Sequence, residues 1–199
     1  MSLTRNEILT EENIFWHKFV DGDNDAFEAV YNLNIDALFA YGMKLHPDRD
    51  FVKDCIHDVF LDVFEHRMTL SIPRSVKHYL FMVLKRTMFR KLKKERKRES
   101  LSEFEDLSFA TEYNVESKTI DKENELYKKK LISQIVKELT SKQQEILYLR
   151  FTKGFSYIEI SEIIDIDHNS VRKQVYRSIK KLRKHDIFKD VIKILALFI

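Results

Sequence analysis

The residues able to do chemistry in this chain are numerous, but few stand in catalytic or metal-binding order. His17, His46, His57, His66, His78, His168 and His185 are scattered. None forms an HExxH motif or a pair of ligands on one helix face. His57, between Asp54 and Asp58, comes nearest to an acid–base or metal constellation. Aspartates spaced by four with no ligand loop make a poor cage for a cation. Cys55 is the only cysteine, so neither a disulfide within the chain nor a thiolate cluster is available. Gly22, Gly42 and Gly154 lie far apart, which excludes a glycine-rich loop cradling phosphates. The reading is therefore a protein that is not an enzyme and has no metal, cofactor or small-molecule substrate.

What remains is charge chemistry, and it is concentrated. Residues Lys85 to Arg98 hold nine Lys or Arg and one Glu, and Asn169 to His185 hold seven Lys or Arg and no acid. Between them, Glu99 to Glu125 hold nine acids and two Lys. Two basic blocks around an acidic one point to a polyanionic partner, although the formal net charge is only +3. Tyr79, Phe81 and Phe89 interleave with the first block, a pattern that suits a phosphate backbone together with stacked or wedged bases. Taken singly, each of these aromatics is also an ordinary core residue. Asp50, Asp54, Asp58 and Asp62 recur every four residues. Like charges at that spacing cost a helix about 0.2–0.5 kcal/mol per pair. A cationic partner would explain the stripe, and a solvated acidic face is the plain alternative.

The elements that carry these residues are helical by composition and by period. Of 199 residues 44% are hydrophobic and 34% charged, enough for a core in a soluble chain, with only three glycines and two prolines. Strand-rich folds use Gly and Pro in their turns. Residues near 11–46 read as two or three helices, with a turn and an N-cap candidate at 21–24. Pro47 and Pro73 bracket a helix from about Asp48 to Arg67, with Val52, Ile56, Val59 and Val63 as its apolar stripe. Ser75 is placed to cap a third helix running to about Lys97. The acidic, Ser-rich stretch then loses periodicity and reads as a linker.

Helical order resumes at Leu126. Leu131, Ile132, Ile135, Val136 and Leu139 form an amphipathic helix, and Ser141 with Gln144 matches a capping box for the next. Gly154 stands where a glycine ends a helix. Ser156 with Glu159 makes a second box, and Asp165-Ile166-Asp167 is a tight turn. Asp167 can cap a last helix from His168 to about His185, whose stripe is Val171, Val175, Ile179 and Leu182. Arg172, Lys173, Tyr176, Arg177, Lys180 and Lys184 share its other side. A short helix, a three-residue turn and a longer basic helix make a helix-turn-helix. The expected fold is all-α: a helical domain at 10–98, an acidic linker at 99–125, a helix-turn-helix domain at 126–186 and an apolar tail at 187–199. That tail is expected to pack on the second domain or on a partner. Its nine residues from Val191 cannot span a bilayer, and MSLTRNEILTEEN lacks the apolar core of a signal peptide. A cytoplasmic location follows.

Three segments also resemble a known family. LTSKQQEILYLRFTKGFSYIEISEIIDIDHNSVRKQVYRSIKKLRK resembles the promoter −35-binding domain of extracytoplasmic-function RNA polymerase sigma factors. FVKDCIHDVFLDVFEHR is similar to their core-polymerase-binding helix, and SVKHYLFMVLKRTMFRKLKKERKR to the segment that melts and reads the −10 element. The order and spacing agree over roughly 10–185. Within the family, the chain is most like a Bacteroidetes subgroup often paired with membrane-associated anti-sigma factors. Three positions depart from the family pattern: His57 replaces a usual Gln, Phe64 a common Trp, and Asp165 a common Gly.

The resemblance implies a sigma factor without catalysis of its own. Its partners would be core RNA polymerase, promoter DNA and an anti-sigma factor. Asp54, Asp58, Phe60 and Asp62 would face polymerase, and the 66–77 loop would hold a flipped −10 base. Lys77, Tyr79, Lys85, Arg86, Arg90 and Lys91 would meet the −10 strand. Asn169, Ser170, Arg172, Lys173 and Arg177 would enter the −35 major groove. The rival reading is a helix-turn-helix regulator that binds DNA without polymerase. It accounts for the second half equally well, but not for a basic block and an acidic helix in the first.

Overall fold

The structure, a computed structural model, describes residues 11–99, 109 and 134–185. Most of the acidic segment, Leu131, Ile132 and the apolar tail lie outside the described residues. The chain divides into two compact units, with the main break between Ser102 and Glu103. Among the described residues every regular element is helical.

The first unit is built from α1 (Glu11–Val20), α2 (Asn24–Leu45), α3 (Arg49–Glu65), a 3-10 turn (Arg67–Thr69) and α4 (Val76–Glu99). Short polar side chains start these helices by accepting N–H groups that have no partner within the helix. Asp23 Oδ1 accepts from Asp25 and Ala26 at 2.9 and 3.1 Å, and Asp48 Oδ1 accepts from Asp50 and Phe51 at 2.9 and 3.1 Å. The Ser75 hydroxyl accepts from His78 N at 3.2 Å.

The α3 stripe of Val52, Cys55, Ile56, Val59 and Val63 is buried, as are Leu80, Leu84 and Met88 of α4, which α3 packs along. Each such side chain contributes about 1.5–3 kcal/mol of transfer free energy when fully buried. Gly42 is needed where α2 crosses α3, because a Cβ there would lie 2.5 Å from a Val52 methyl. Phe19, Phe27, Phe60 and Phe64 form a ring cluster, with Phe27 5.1 Å from Phe64. Phe64 is thus held by aromatic contacts to α1 and α2.

In the second unit, Ile135, Val136 and Leu139 are buried ahead of α5 (Ser141–Leu147). The capping box that opens α5 is Thr140 with Gln143, one residue earlier than the sequence suggests. Ser141 is occupied differently: its hydroxyl accepts the Phe109 N–H at 2.6 Å. Phe109 is buried, its ring 5.4 Å from that of Tyr148. Burial also pushes the Tyr148 hydroxyl pKa far above its ordinary range, so it stays protonated. A π-helical turn (Tyr148–Thr152) follows α5, and Gly154, at φ 77°, takes the left-handed conformation beyond it. Then come α6 (Tyr157–Ile164) and α7 (His168–Leu182). Ile146, Leu149, Ile160, Ile163, Val171, Val175 and Leu182 close the core under them.

Candidate nucleic-acid interface

The geometry of α6 and α7 is set by three short-range devices. Ser156 Oγ accepts Glu159 N–H at 3.2 Å while the Glu159 carboxylate accepts Ser156 N–H at 2.7 Å, closing the second capping box as read from the sequence. Asp165 ends α6 in the left-handed region at φ 58° and ψ 56°. Aspartate tolerates that conformation better than most residues, so the turn forms without a glycine. Asp167 Oδ1 then accepts from Asn169 and Ser170 at 2.9 and 3.2 Å and launches α7. With Val171, Val175 and Leu182 held inward, Asn169, Ser170, Arg172, Lys173 and Arg177 are all exposed. Tyr176 stands among them, 67% exposed. The outcome is a helix-turn-helix with an open cationic face.

Two residues outside the sequence-based set join this face. The Arg172 guanidinium lies 5.6 Å from the Tyr157 ring centre, and Arg150 lies 4.8 Å from the same ring. Arg150 is itself oriented by a 2.9 Å hydrogen bond that it donates to the Phe155 carbonyl. Guanidinium groups over a tyrosine face are attracted by the ring quadrupole. Tyr157 thereby draws a cation from the π-helical turn and one from α7 to a single place. The sequence signal for Tyr157 was its position directly after the Ser156 cap. Arg150 carried no signal, because its approach depends on the wider turn.

The first basic helix is less open. Arg86 and Arg90 of α4 are exposed, whereas Lys77, Tyr79, Lys85 and Lys91 are half-buried. Tyr79 packs edge-on to Trp16 at 5.6 Å, and its pKa is pushed up by burial and then by the Asp62 charge. Lys77 lies beside Glu12. Burial raises the Glu12 pKa, while the Lys77 charge and backbone N–H pull it down. Lys91 Nζ meets Asp58 Oδ2 at 2.6 Å. Partial burial lowers the Lys91 pKa, but the Asp58 hydrogen bond and the charges of Cys55, Asp58 and Asp54 outweigh it and the net shift is upward.

Two aspartates of the α3 stripe thus have cations from their own chain: Asp50 pairs with Lys53 at 3.1 Å and Asp58 with Lys91, while Asp62 Oδ1 lies 3.3 Å from the His66 imidazole Nδ1. Asp54 and Asp62 remain exposed and Asp58 half-exposed. Phe60 does not share that face: it is 4% exposed, with Tyr31 at 4.7 Å and Phe27 at 6.2 Å. Its position on α3 turns it onto α2, so it is a packing residue. His57 is exposed on α3, and among the described residues no three His, Cys, Asp or Glu are grouped to hold a metal ion. No helix among them is long and apolar enough to cross a membrane.

Residues 129–182 match the family model described as sigma-70, region 4. No curated protein matches the chain. Among solved structures, the sigma factor RpoE in complex with the anti-sigma factor NepR from Bartonella quintana is similar at 18% identity and a TM-score of 0.56. That match covers 79% of this chain and 94% of that one. CnrH in complex with the cytosolic domain of CnrY is similar at 16% identity and a TM-score of 0.56, covering 87% of this chain and 95% of that one. At these identities the likeness is one of fold, and it extends across both units.

Proposed function

We propose that the protein is a sigma factor of the extracytoplasmic-function type that binds core RNA polymerase and directs transcription initiation from promoters with −35 and −10 elements. The observation that carries this reading is the open cationic face of α7, mounted on a capped helix-turn-helix within the segment that matches sigma-70 region 4. Asn169, Ser170, Arg172, Lys173 and Arg177 enter the −35 major groove, with Arg150 and Tyr157 against the flanking backbone, as the first helix of such motifs crosses phosphates. In the first unit, Arg86 and Arg90 grip the −10 strand, joined by Lys77, Tyr79, Lys85 and Lys91 at the inner edge of α4. Asp54, Asp58 and Asp62 meet polymerase.

On this reading the protein works in the cytoplasm and has no catalysis of its own. Its third partner is an anti-sigma factor, membrane-associated as in the Bacteroidetes subgroup. The similar fold of a sigma factor held by an anti-sigma factor supports that class of partner. The test is run-off transcription with core polymerase on a promoter library. Specific transcripts that require the protein are expected. Sequence-specific DNA binding with no transcript and no association with polymerase would favour the rival regulator.

A further inference from the structure

The Asp58–Lys91 pair joins the two faces that the proposed function keeps separate. Asp58 belongs to the α3 stripe assigned to polymerase, and Lys91 to the α4 block assigned to the −10 strand. Their side chains meet at 2.6 Å while still 44% and 30% exposed. Both groups are therefore reachable by solvent and by competing charges. Asp54 adds to the negative field at the same place, and Lys91 responds to it. By contrast Arg86 and Arg90, on the same helix, are exposed.

We propose that the Asp58–Lys91 ion pair is a competitive lock: it withholds Lys91 from nucleic acid in the free protein, and a cationic group of a partner that takes Asp58 releases Lys91 to the strand. The pair is suited to this because it is weak. An exposed ion pair shifts an equilibrium by only about two- to fivefold, so a partner contact can outcompete it. A buried pair would cost far more to part. Coupling of this size makes polymerase binding and strand binding mutually favourable, since whatever frees Lys91 from Asp58 also raises affinity at the other site. The lock rests on the proposed assignment of α3 to polymerase, but its first half needs no polymerase and is tested alone.

The experiment measures binding of the full chain to a fluorescent single-stranded oligonucleotide across a salt series. Asp58→Asn is expected to bind about two- to fivefold more tightly at low salt. Its log–log salt slope should steepen by about 0.7, the increment for one added phosphate contact on a single strand. Adding Lys91→Gln to Asp58→Asn should remove both changes. Asp50→Asn, which deletes one acid from the same helix without touching Lys91, should give a smaller gain and no change in slope. Asp58→Glu, which keeps the charge, should bind like the parent chain, and matching circular dichroism melts would show the fold retained.

No gain in Asp58→Asn, or a gain that persists in the double variant, would overturn the lock. The second half compares salt slopes with and without core polymerase, where the parent chain should gain the increment and Asp58→Asn should not. A parent chain that binds polymerase but shows no increment would overturn the release step. A parent chain that fails to bind polymerase would overturn the proposed function, while the free-protein result still decides the pair.

Discussion

On α7, Arg172, Lys173 and Arg177 stand out in solvent, whereas on α4 Lys91 turns back onto Asp58 and Lys77 lies beside Glu12. The two helices carry comparable runs of positive charge, yet they differ in how much of it is open. The reason lies in their neighbours. α7 packs on α5 and α6 through an apolar stripe, and Glu138 meets only the end of its block, accepting from Lys181 through its backbone carbonyl and lying 3.1 Å from His185 through its carboxylate. α4 packs along α3, whose acidic stripe reaches it from the side. A dense cationic sequence therefore indicates capacity for a polyanion. Its availability is decided by the helix alongside.

The largest expected effect is on α3. Reversing Asp58 and Asp62 to Lys should abolish co-elution with core polymerase while circular dichroism stays helical. Normal co-elution would mean that the stripe serves only α4 and its own chain. Next comes the open helix. Arg172→Ala should cost on the order of ten- to hundredfold in affinity at the cognate −35 element if Arg172 pairs bidentately with a guanine, a contact worth about 1–3 kcal/mol. Gel-shift titrations on cognate and scrambled duplexes separate the roles, because an equal loss on both would reduce Arg172 to a phosphate contact.

Smaller effects sharpen the contrast between the helices. Asp167→Ala removes the α7 cap and should cost about 1 kcal/mol, read as a lower melting temperature and weaker duplex binding. Tyr157→Ala frees Arg150 and Arg172 from a shared ring. At about 0.5–1 kcal/mol for an exposed cation–π contact, it should weaken duplex binding roughly two- to fivefold on any sequence. A loss confined to one sequence would instead make Tyr157 a base reader.

The smallest effect is the pH dependence of the Lys91 pair. The Lys91 pKa is raised in the folded chain above its ordinary 10.5. Its stabilising contribution is therefore fully present below 10.5 and is lost as pH rises through the higher folded value. The difference in thermal stability between the parent chain and Lys91→Met should be constant at neutral pH and shrink at strongly alkaline pH. A difference that grows with alkalinity would contradict the pairing.

Much of the fold was legible in the sequence because the signals act over a few residues. Asp48 and Ser75 start α3 and α4, Ser156 and Glu159 form their box, and Asp167 caps α7, all through hydrogen bonds no longer than one helical turn. The buried stripe of α3 followed from helical period alone, and so did Val171, Val175 and Leu182 of α7, whereas Ile179 is half-buried and Ser178 is buried in its stead. Even Asp165 was placed correctly as a turn residue, because a short polar side chain accepts the left-handed conformation. The cap of α5 is Thr140 instead of Ser141, because Thr140 is the last residue in extended conformation and Ser141 already lies inside the helix, where its hydroxyl accepts the Phe109 N–H.

Sequence by itself thus determined the helices, their starts, their inward faces and the two cationic runs, since each depends on neighbours within about four positions. Tertiary structure alone decided that Phe60 is core, that Arg150 and Arg172 share the Tyr157 ring, and that Lys91 is held by Asp58 while Arg90 is exposed. These outcomes depend on which helix lies alongside and at what rotation. A charge or ring reaches its partner across that packing, and no spacing along the chain encodes the distance.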